Sequence, residues 1–186
     1  MNLGRLTLNK MNLAVREIEL VDIPRVVDYW MNASDEFLIG MGVDLSKMPS
    51  RDALTQMLKS QIALPYNQKQ SYALIWLVNN QAVGHSNVNN IKYGEIATMH
   101  LHLWTSDLRQ KGIGTQLVKL GIPFFFKNLK LDILICEPYA QNSAPNKTLL
   151  KVGFEFIKTY ETIPGSLNFL QEVNQYKLTK KSFENF

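Results

Sequence analysis

The sequence predicts one α/β domain, of the α+β kind, in which a mixed and mostly antiparallel sheet of about six to seven strands is flanked by about four helices. Three observations carry that expectation. Periodic segments follow one another in the order β-α-α-β-β-β-α-β-α-β-β, with no repeat, linker or low-complexity tract between them. The run LDILIC at 131–136 is almost wholly apolar, as a strand covered on both faces would be. An alternating segment at 95–104 passes through a short polar turn into a glycine pair that opens a helical pattern.

Taken in order, residues 1–10 read as a flexible N-terminal extension, residues 11–180 as the single domain and 181–186 as a C-terminal tail. Alternation begins at Leu13, with Val15 and Ile18 between charged residues. Asp22 can cap a first helix whose first turn holds Pro24 and whose apolar side carries Val26, Val27 and Trp30. Ser50 or Asp52 can cap a second over 53–64, which ends before Pro65. The β-branched and aromatic stretch 71–78 reads as a strand, and Asn79 and Asn80 turn it tightly into the next. The helix at 113–129 carries a stripe of Ile113, Leu117, Leu120, Phe124 and Phe125, with Pro123 expected to kink it. A last helix at 144–151 stops at Gly153, a left-handed cap, before strands at 154–160 and 171–178.

Composition narrows the function classes. A chain of 186 residues, 46% hydrophobic and 19% charged, builds one sizeable core. The mild net charge of +4 suits a phosphate-bearing ligand as well as RNA, but because it is not clustered beside exposed aromatics no nucleic-acid partner is expected. A lone Cys136 cannot close an intramolecular disulfide, so a cytoplasmic setting is expected. No apolar run approaches the roughly 18 residues that a membrane span needs, so no membrane partner is expected.

The segment RQKGIGTQLV fits neither familiar phosphate loop. A Walker loop needs four residues between its glycine and Gly-Lys-Ser/Thr, and a dinucleotide loop needs a third glycine where Leu117 stands. Arg109-x-x-Gly112-x-Gly114 remains, between a strand and a helix, where backbone amides from Lys111 to Thr115 can converge on a diphosphate because glycines leave room for it. Such a pair can also be only a turn.

This loop, the apolar strand after it, and Asn142 eleven residues before Gly153-Phe154 resemble the GCN5-related N-acetyltransferases, the GNAT superfamily. Within it, CEPYAQN followed by LLKVGF is similar to aminoglycoside and siderophore-assembling acetyltransferases. The resemblance covers roughly 95–160. It implies a sheet splayed at its centre and acetyl-coenzyme A as acyl donor, with no metal. It implies diphosphate contacts from Arg109, Gln110, Lys111, Gly112, Ile113, Gly114 and Thr115, and pairing of the pantetheine arm with the strand end at Leu103 and Trp104. Asn142 would hold the arm from the other side, with Asn146 a second candidate; Asn142 can alternatively serve only as a helix cap.

Catalysis is expected from the strand before the loop. Alternation puts Met99, Leu101 and Leu103 on one face and His100, His102 and Trp104 on the other. Acetyl transfer to an amine needs a proton acceptor, and a neutral imidazole with a pKa near 6.5 suits that task. The resemblance puts His100 at the general-base position, with His102 as the alternative; either ring can instead merely fill a polar cleft. A metal reading of His-x-His lacks a closed ligand set. Where many GNAT enzymes carry a tyrosine that protonates the thiolate, this chain has Leu149, which leaves water or a tyrosine such as Tyr139 or Tyr160. The acceptor would lie between 31–48 and 161–173, with Asp35, Glu36 and Asp44 attracting a cation beside Met31, Phe37, Met41 and Met48. The implied activity is N-acetylation of a small-molecule primary amine by a monomer or homodimer. A protein or peptide N-terminal acetyltransferase and a non-catalytic acyl-CoA-binding module are the alternatives.

Overall fold

The computed structural model describes residues 11–108 and 111–185. The segment expected to be an N-terminal extension, with Arg109 and Gln110, lies outside them. Seven strands, β1 (Leu13–Glu17), β2 (Tyr72–Val78), β3 (Gln81–Lys92), β4 (Ile96–Leu103), β5 (Ile133–Cys136), β6 (Glu155–Thr162) and β7 (Gln171–Thr179), form one sheet. Their order is β1-β2-β3-β4-β5-β7-β6, antiparallel throughout except between β4 and β5. The helices are α1 (Ile23–Met31), α2 (Asp35–Gly40), α3 (Arg51–Ala63), α4 (Ile113–Asn128), α5 (Ser143–Val152) and α6 (Lys180–Glu184). None of them is long and apolar enough to cross a membrane.

Each face of the sheet buries a different set. On one side Leu117, Ile122 and Phe125 of α4 and Leu149 of α5 pack on Leu74, Trp76, Val88 and Met99. A fully buried side chain of this size contributes about 1.5–3 kcal/mol, so this layer dominates the stability. On the other side α1 and α3 cover Ile75 with Val26, Val27, Leu54 and Leu58. Local expectations are met at the Asn79-Asn80 turn, where φ is 50° and 65°, and at Gly153, where it is 102°. Ser50, rather than Asp52, caps α3 by accepting from the Ala53 amide. Asp22 does not cap α1 with its side chain. Its carboxylate receives the Arg16 guanidinium at 2.6 and 2.8 Å and the Glu19 amide at 2.9 Å, and those charge-assisted bonds outcompete the helix end. Two short helices extend the expected set of four. Ser34 starts α2 by accepting from Phe37, and α6 follows β7 and carries Phe183 against Phe126.

The feature that makes room for a ligand is the short pairing of β4 with β5. Only Ile96↔Ile133, Ala97↔Leu134 and Thr98↔Ile135 are joined. Beyond them Pro138, which has no N–H to give a ladder, takes the chain toward β7, where its carbonyl accepts from Asn174 and Ala140 donates to Glu172. The Cys136 thiol closes the fork by donating to the Met99 carbonyl at 2.9 Å. β4 runs on to Leu103 paired with β3 but no longer with β5, and the sheet opens at its centre.

Candidate active site

A cleft of about 430 Å³ occupies this fork, a size within the range of small-molecule sites. Gly112, Gly114 and Thr115 form one wall, Asn142, Lys147 and Lys151 the opposite one, and Leu101 and Leu103 the strand edge. Tyr29 of α1 and Phe37 and Met41 of the α2 region line it as well. The cleft therefore joins the α4 side of the sheet to the α1 side through the gap.

Strand parity decides which backbone groups face it. The Trp104 amide donates to the Val83 carbonyl at 2.9 Å, so Trp104, His102 and His100 turn their main-chain groups toward β3. Leu101 and Leu103 turn theirs toward the side that β5 has left, as the Met99 carbonyl accepting Cys136 already shows. Of the two strand residues expected to pair with an extended ligand, Leu103 has the right parity. Trp104 does not, because its amide is already bonded within the sheet.

At the glycine loop Gly112 has φ +73°, the left-handed region that disfavours any other residue, and it starts α4. A Cβ built on Gly112 or Gly114 meets nothing within 4 Å among the described residues, which leave the turn unobstructed. Gln116 closes the first helical turn on the Gly112 carbonyl, and the amides of Ile113, Gly114 and Thr115 precede any intrahelical partner. A helix start with free amides of this kind is suited to hold an anion. The Ile113 side chain itself is buried in the core, so only its backbone is available to a ligand. Lys111 is exposed beside the loop.

The two asparagines separate. Asn142 stands at the N-cap of α5 but makes no side-chain cap bond, and it lines the cleft. Asn146 is buried, its amide donating to the Tyr139 and Asn142 carbonyls and its oxygen accepting from Asn174 and Tyr176. All of its side-chain hydrogen-bonding capacity is used inside the protein, so it holds Tyr139, Asn142, Asn174 and Tyr176 together rather than offering a group to the cleft. Replacing Asn146 by alanine is expected to cost about 3 kcal/mol of stability, because it orphans buried partners. Replacing Asn142 is expected to leave stability within about 0.5 kcal/mol of wild type and to raise the KM for an acyl-coenzyme A about tenfold. Thermal melts and steady-state kinetics on the two variants check this contrast. Lys147 and Lys151, one helical turn apart on α5, also line the cleft, and their only trace in the sequence is a basic pair at i, i+4 after Asn142.

The histidines lie on the α1 face, and neither ring lines the cleft. His100 Nε2 sits 3.1 Å from Asn89 Oδ1. His102 stacks on His85 with centroids 4.5 Å apart and lies edge-on to Trp30 at 5.0 Å. Its Nδ1 is 3.3 Å from the Tyr29 hydroxyl. His85 in turn accepts the Trp104 indole N–H on Nδ1 at 2.7 Å, which puts its own proton on Nε2. The expected pKa near 6.5 is corrected. Burial pushes His100 down to about 4 against the opposing field of Glu137. Burial, then the neighbouring His85 and His100, hold His102 well below 6.5. Burial and His100 take His85 to about 3. The rings stay neutral throughout the physiological range.

Neither tyrosine expected as a thiolate acid lines the cleft. Tyr160 donates to Glu137 Oε1 at 2.5 Å and is pushed up to about 12 by burial and that bond, while Tyr139 packs edge-on to Phe169. Leu149 is fully buried. The tyrosine that does face the cleft is Tyr29.

The two segments expected to flank an acceptor do meet. Asn168 and Gln171 side chains donate to the Gly42 carbonyl at 2.8 and 3.2 Å, Asp44 donates its amide to Leu167 at 2.8 Å, and Lys47 reaches the Asn168 carbonyl at 2.7 Å. Phe37 and Met41 line the cleft; Asp35 and Glu36 sit exposed in the first turn of α2. Asp44 is engaged with the Ser46 hydroxyl and amide and with Lys47, bonds that hold its carboxyl below the usual range. Its role is that of a turn cap.

Comparison with known proteins agrees with this geometry. Residues 12–155 match the family model of the acetyltransferase (GNAT) domain. Among solved structures, the spermidine N-acetyltransferase of Vibrio cholerae in complex with CoA and spermine superposes with a TM-score of 0.74. The two are 14% identical over 93% of this chain and 98% of that one. The ribosomal L7/L12 alpha-N-protein acetyltransferase RimL, with coenzyme A, gives 0.72 at 13% identity over 91% and 98%. Aminoglycoside acetyltransferase AAC(6')-Ib, also with coenzyme A, gives 0.69 at 14% over 94% and 98%. No curated protein matches by sequence. With the family model covering most of its length and the forked sheet in place, the chain belongs to the GNAT acetyltransferases.

Proposed function

We propose that this acetyltransferase moves the acetyl group of acetyl-coenzyme A to a primary amine of a small molecule, by direct attack of the amine on the thioester. The observation that carries the reading is the continuity of the cleft, from the α4 start and Asn142 on one side of the sheet to Tyr29, Phe37 and Met41 on the other. The amides of Ile113, Gly114 and Thr115, with Gly112 in the turn and Lys111, Arg109 and Gln110 beside it, bind the diphosphate. Lys147 and Lys151 add positive charge on the facing wall. The main chain of Leu101 and Leu103 and the amide of Asn142 hold the pantetheine arm, which leaves the thioester at the gap. The acceptor enters from the α1–α2 side, over Phe37 and Met41. Proton transfer falls to the imidazole group of the α1 face, with His102 better connected to the cleft than His100. The domain spans about 11–180 and works in the cytoplasm as a monomer or homodimer.

Incubation with acetyl-coenzyme A and a panel of spermidine, kanamycin and simple diamines, while free thiol is recorded, tests the reading. Acceptor-dependent release with one of them is the expected result. Release only with peptides bearing a free N-terminus would assign protein substrates instead, and coenzyme binding by calorimetry without release across both panels would leave a binding module.

A further inference from the structure

We propose that the Tyr29 hydroxyl is the proton-transferring group of the cleft and that His102 acts through it. The proposal rests on the acetyl-transfer reading above. Tyr29 lines the cleft, whereas His102 does not, and the Tyr29 hydroxyl approaches His102 Nδ1 at 3.3 Å. That separation is long, as catalytic hydrogen bonds in unliganded sites commonly are. The hydroxyl also lies 3.4 Å from Met41 Sδ, a weak acceptor. The tyrosine ring is held by edge contacts with Trp30, Phe37 and His85 at 5.4, 6.2 and 5.7 Å, so its hydroxyl has little freedom to leave the gap. His102 is held in turn by its stack on His85, whose tautomer Trp104 fixes.

The proton balance closes within this set. The neutral amine nitrogen bonds to the thioester carbon, and one of its protons passes to Tyr29 Oη while the phenolic proton moves to His102 Nδ1. As the C–S bond breaks, Tyr29 gives a proton to the sulfur and recovers one from Nδ1. One proton has moved from nitrogen to sulfur, and no outside acid or base is consumed. Burial of His102 favours the return, since an imidazolium there is a strong acid. The same hydroxyl thus serves as the end of the base and as the thiolate acid for which Leu149 offers no group.

The test uses Tyr29→Phe, which removes one oxygen, and His102→Asn, whose amide keeps a hydrogen bond to Tyr29 but takes no proton. Each is expected to lower kcat about 100-fold with the KM for acetyl-coenzyme A unchanged, in line with the usual contribution of general acid–base catalysis. The double variant is expected to be no slower than either single one, because the pair works as a unit. Calorimetric coenzyme binding and thermal melts establish that each variant is folded. Retention of more than half of kcat in Tyr29→Phe, or multiplicative losses in the double variant, overturns the relay alone. A wild-type chain that binds acetyl-coenzyme A and releases no thiol with any amine or peptide overturns the transfer reading and the relay with it.

Discussion

Replacing Gly114 by leucine is expected to raise the KM for acetyl-coenzyme A about 100-fold, or roughly 2.7 kcal/mol, while the melting temperature stays within about 4 °C of wild type. The two halves of that expectation come from one observation. A Cβ at Gly114 points into space where none of the described residues places an atom within 4 Å, so a side chain can start there without a collision. The residue is the second of α4 and its φ lies outside the left-handed region, so a non-glycine residue there favours the helix by up to about 1 kcal/mol. The same space is the wall of the cleft. Leucine fills it and holds a diphosphate away from the amides of Ile113 and Thr115. Gly112 is the poorer choice, because at φ +73° any side chain adds backbone strain and mixes folding with binding. Unchanged coenzyme affinity in Gly114→Leu, measured by calorimetry, would remove the loop from the site.

The contrast between Gly114 and its surroundings shows what a sequence discloses. Elements governed by local periodicity were legible: the β-branched stretch of β2, the alternation of β4 and the apolar stripe of α4 each sit where the pattern puts them. α2 was not, because six residues give no helical period and its start depends on one Ser34 bond. Asp22 misled for a different reason. A carboxylate before a helix looks like a cap, and only the fold brings Arg16 within 2.6 Å to claim it.

The site divides along the same line. The glycine loop and Asn142 are local signals, tied to helix starts, and the cleft forms between them. Asn146 looked equivalent to Asn142, yet the groups that saturate it, Asn174 and Tyr176, stand 28 and 30 residues away. Tyr29 and His102 are 73 residues apart and meet only because α1 packs over β4. Alternation correctly put His100 and His102 on one face; it carried no information on whether that face opens into the gap or beside it.

Stability is expected to fall steeply as pH drops from about 6.5 toward 4, and the same imidazoles are the reason. Histidine in the unfolded chain takes a proton near pH 6.5. In the folded protein His85 resists until about 3 and His100 until about 4, while His102 is also held well below its ordinary value. Each pKa is lower in the folded state, so the stabilisation is full above pH 6.5 and is lost as pH falls through that window. The unfolded state then binds up to three more protons than the folded one, a slope of about 4 kcal/mol per pH unit at its steepest. Two such units would remove about 8 kcal/mol, a large share of the roughly 5–15 kcal/mol total stability of a domain. Carboxylates act lower down. Burial alone would raise the Asp22 carboxyl, but bonds from Arg16 and the Glu19 amide bring it below the usual carboxylate value, so its contribution disappears only at more acid pH. Urea midpoints recorded from pH 8 to 4.5 should be flat above 7 and drop sharply below 6. Replacing His85 by glutamine should shallow that drop by about one proton. A flat profile down to pH 5 would mean that the rings titrate normally. The α1 face would then admit water, and the dry proton path from Tyr29 to His102 would have no basis.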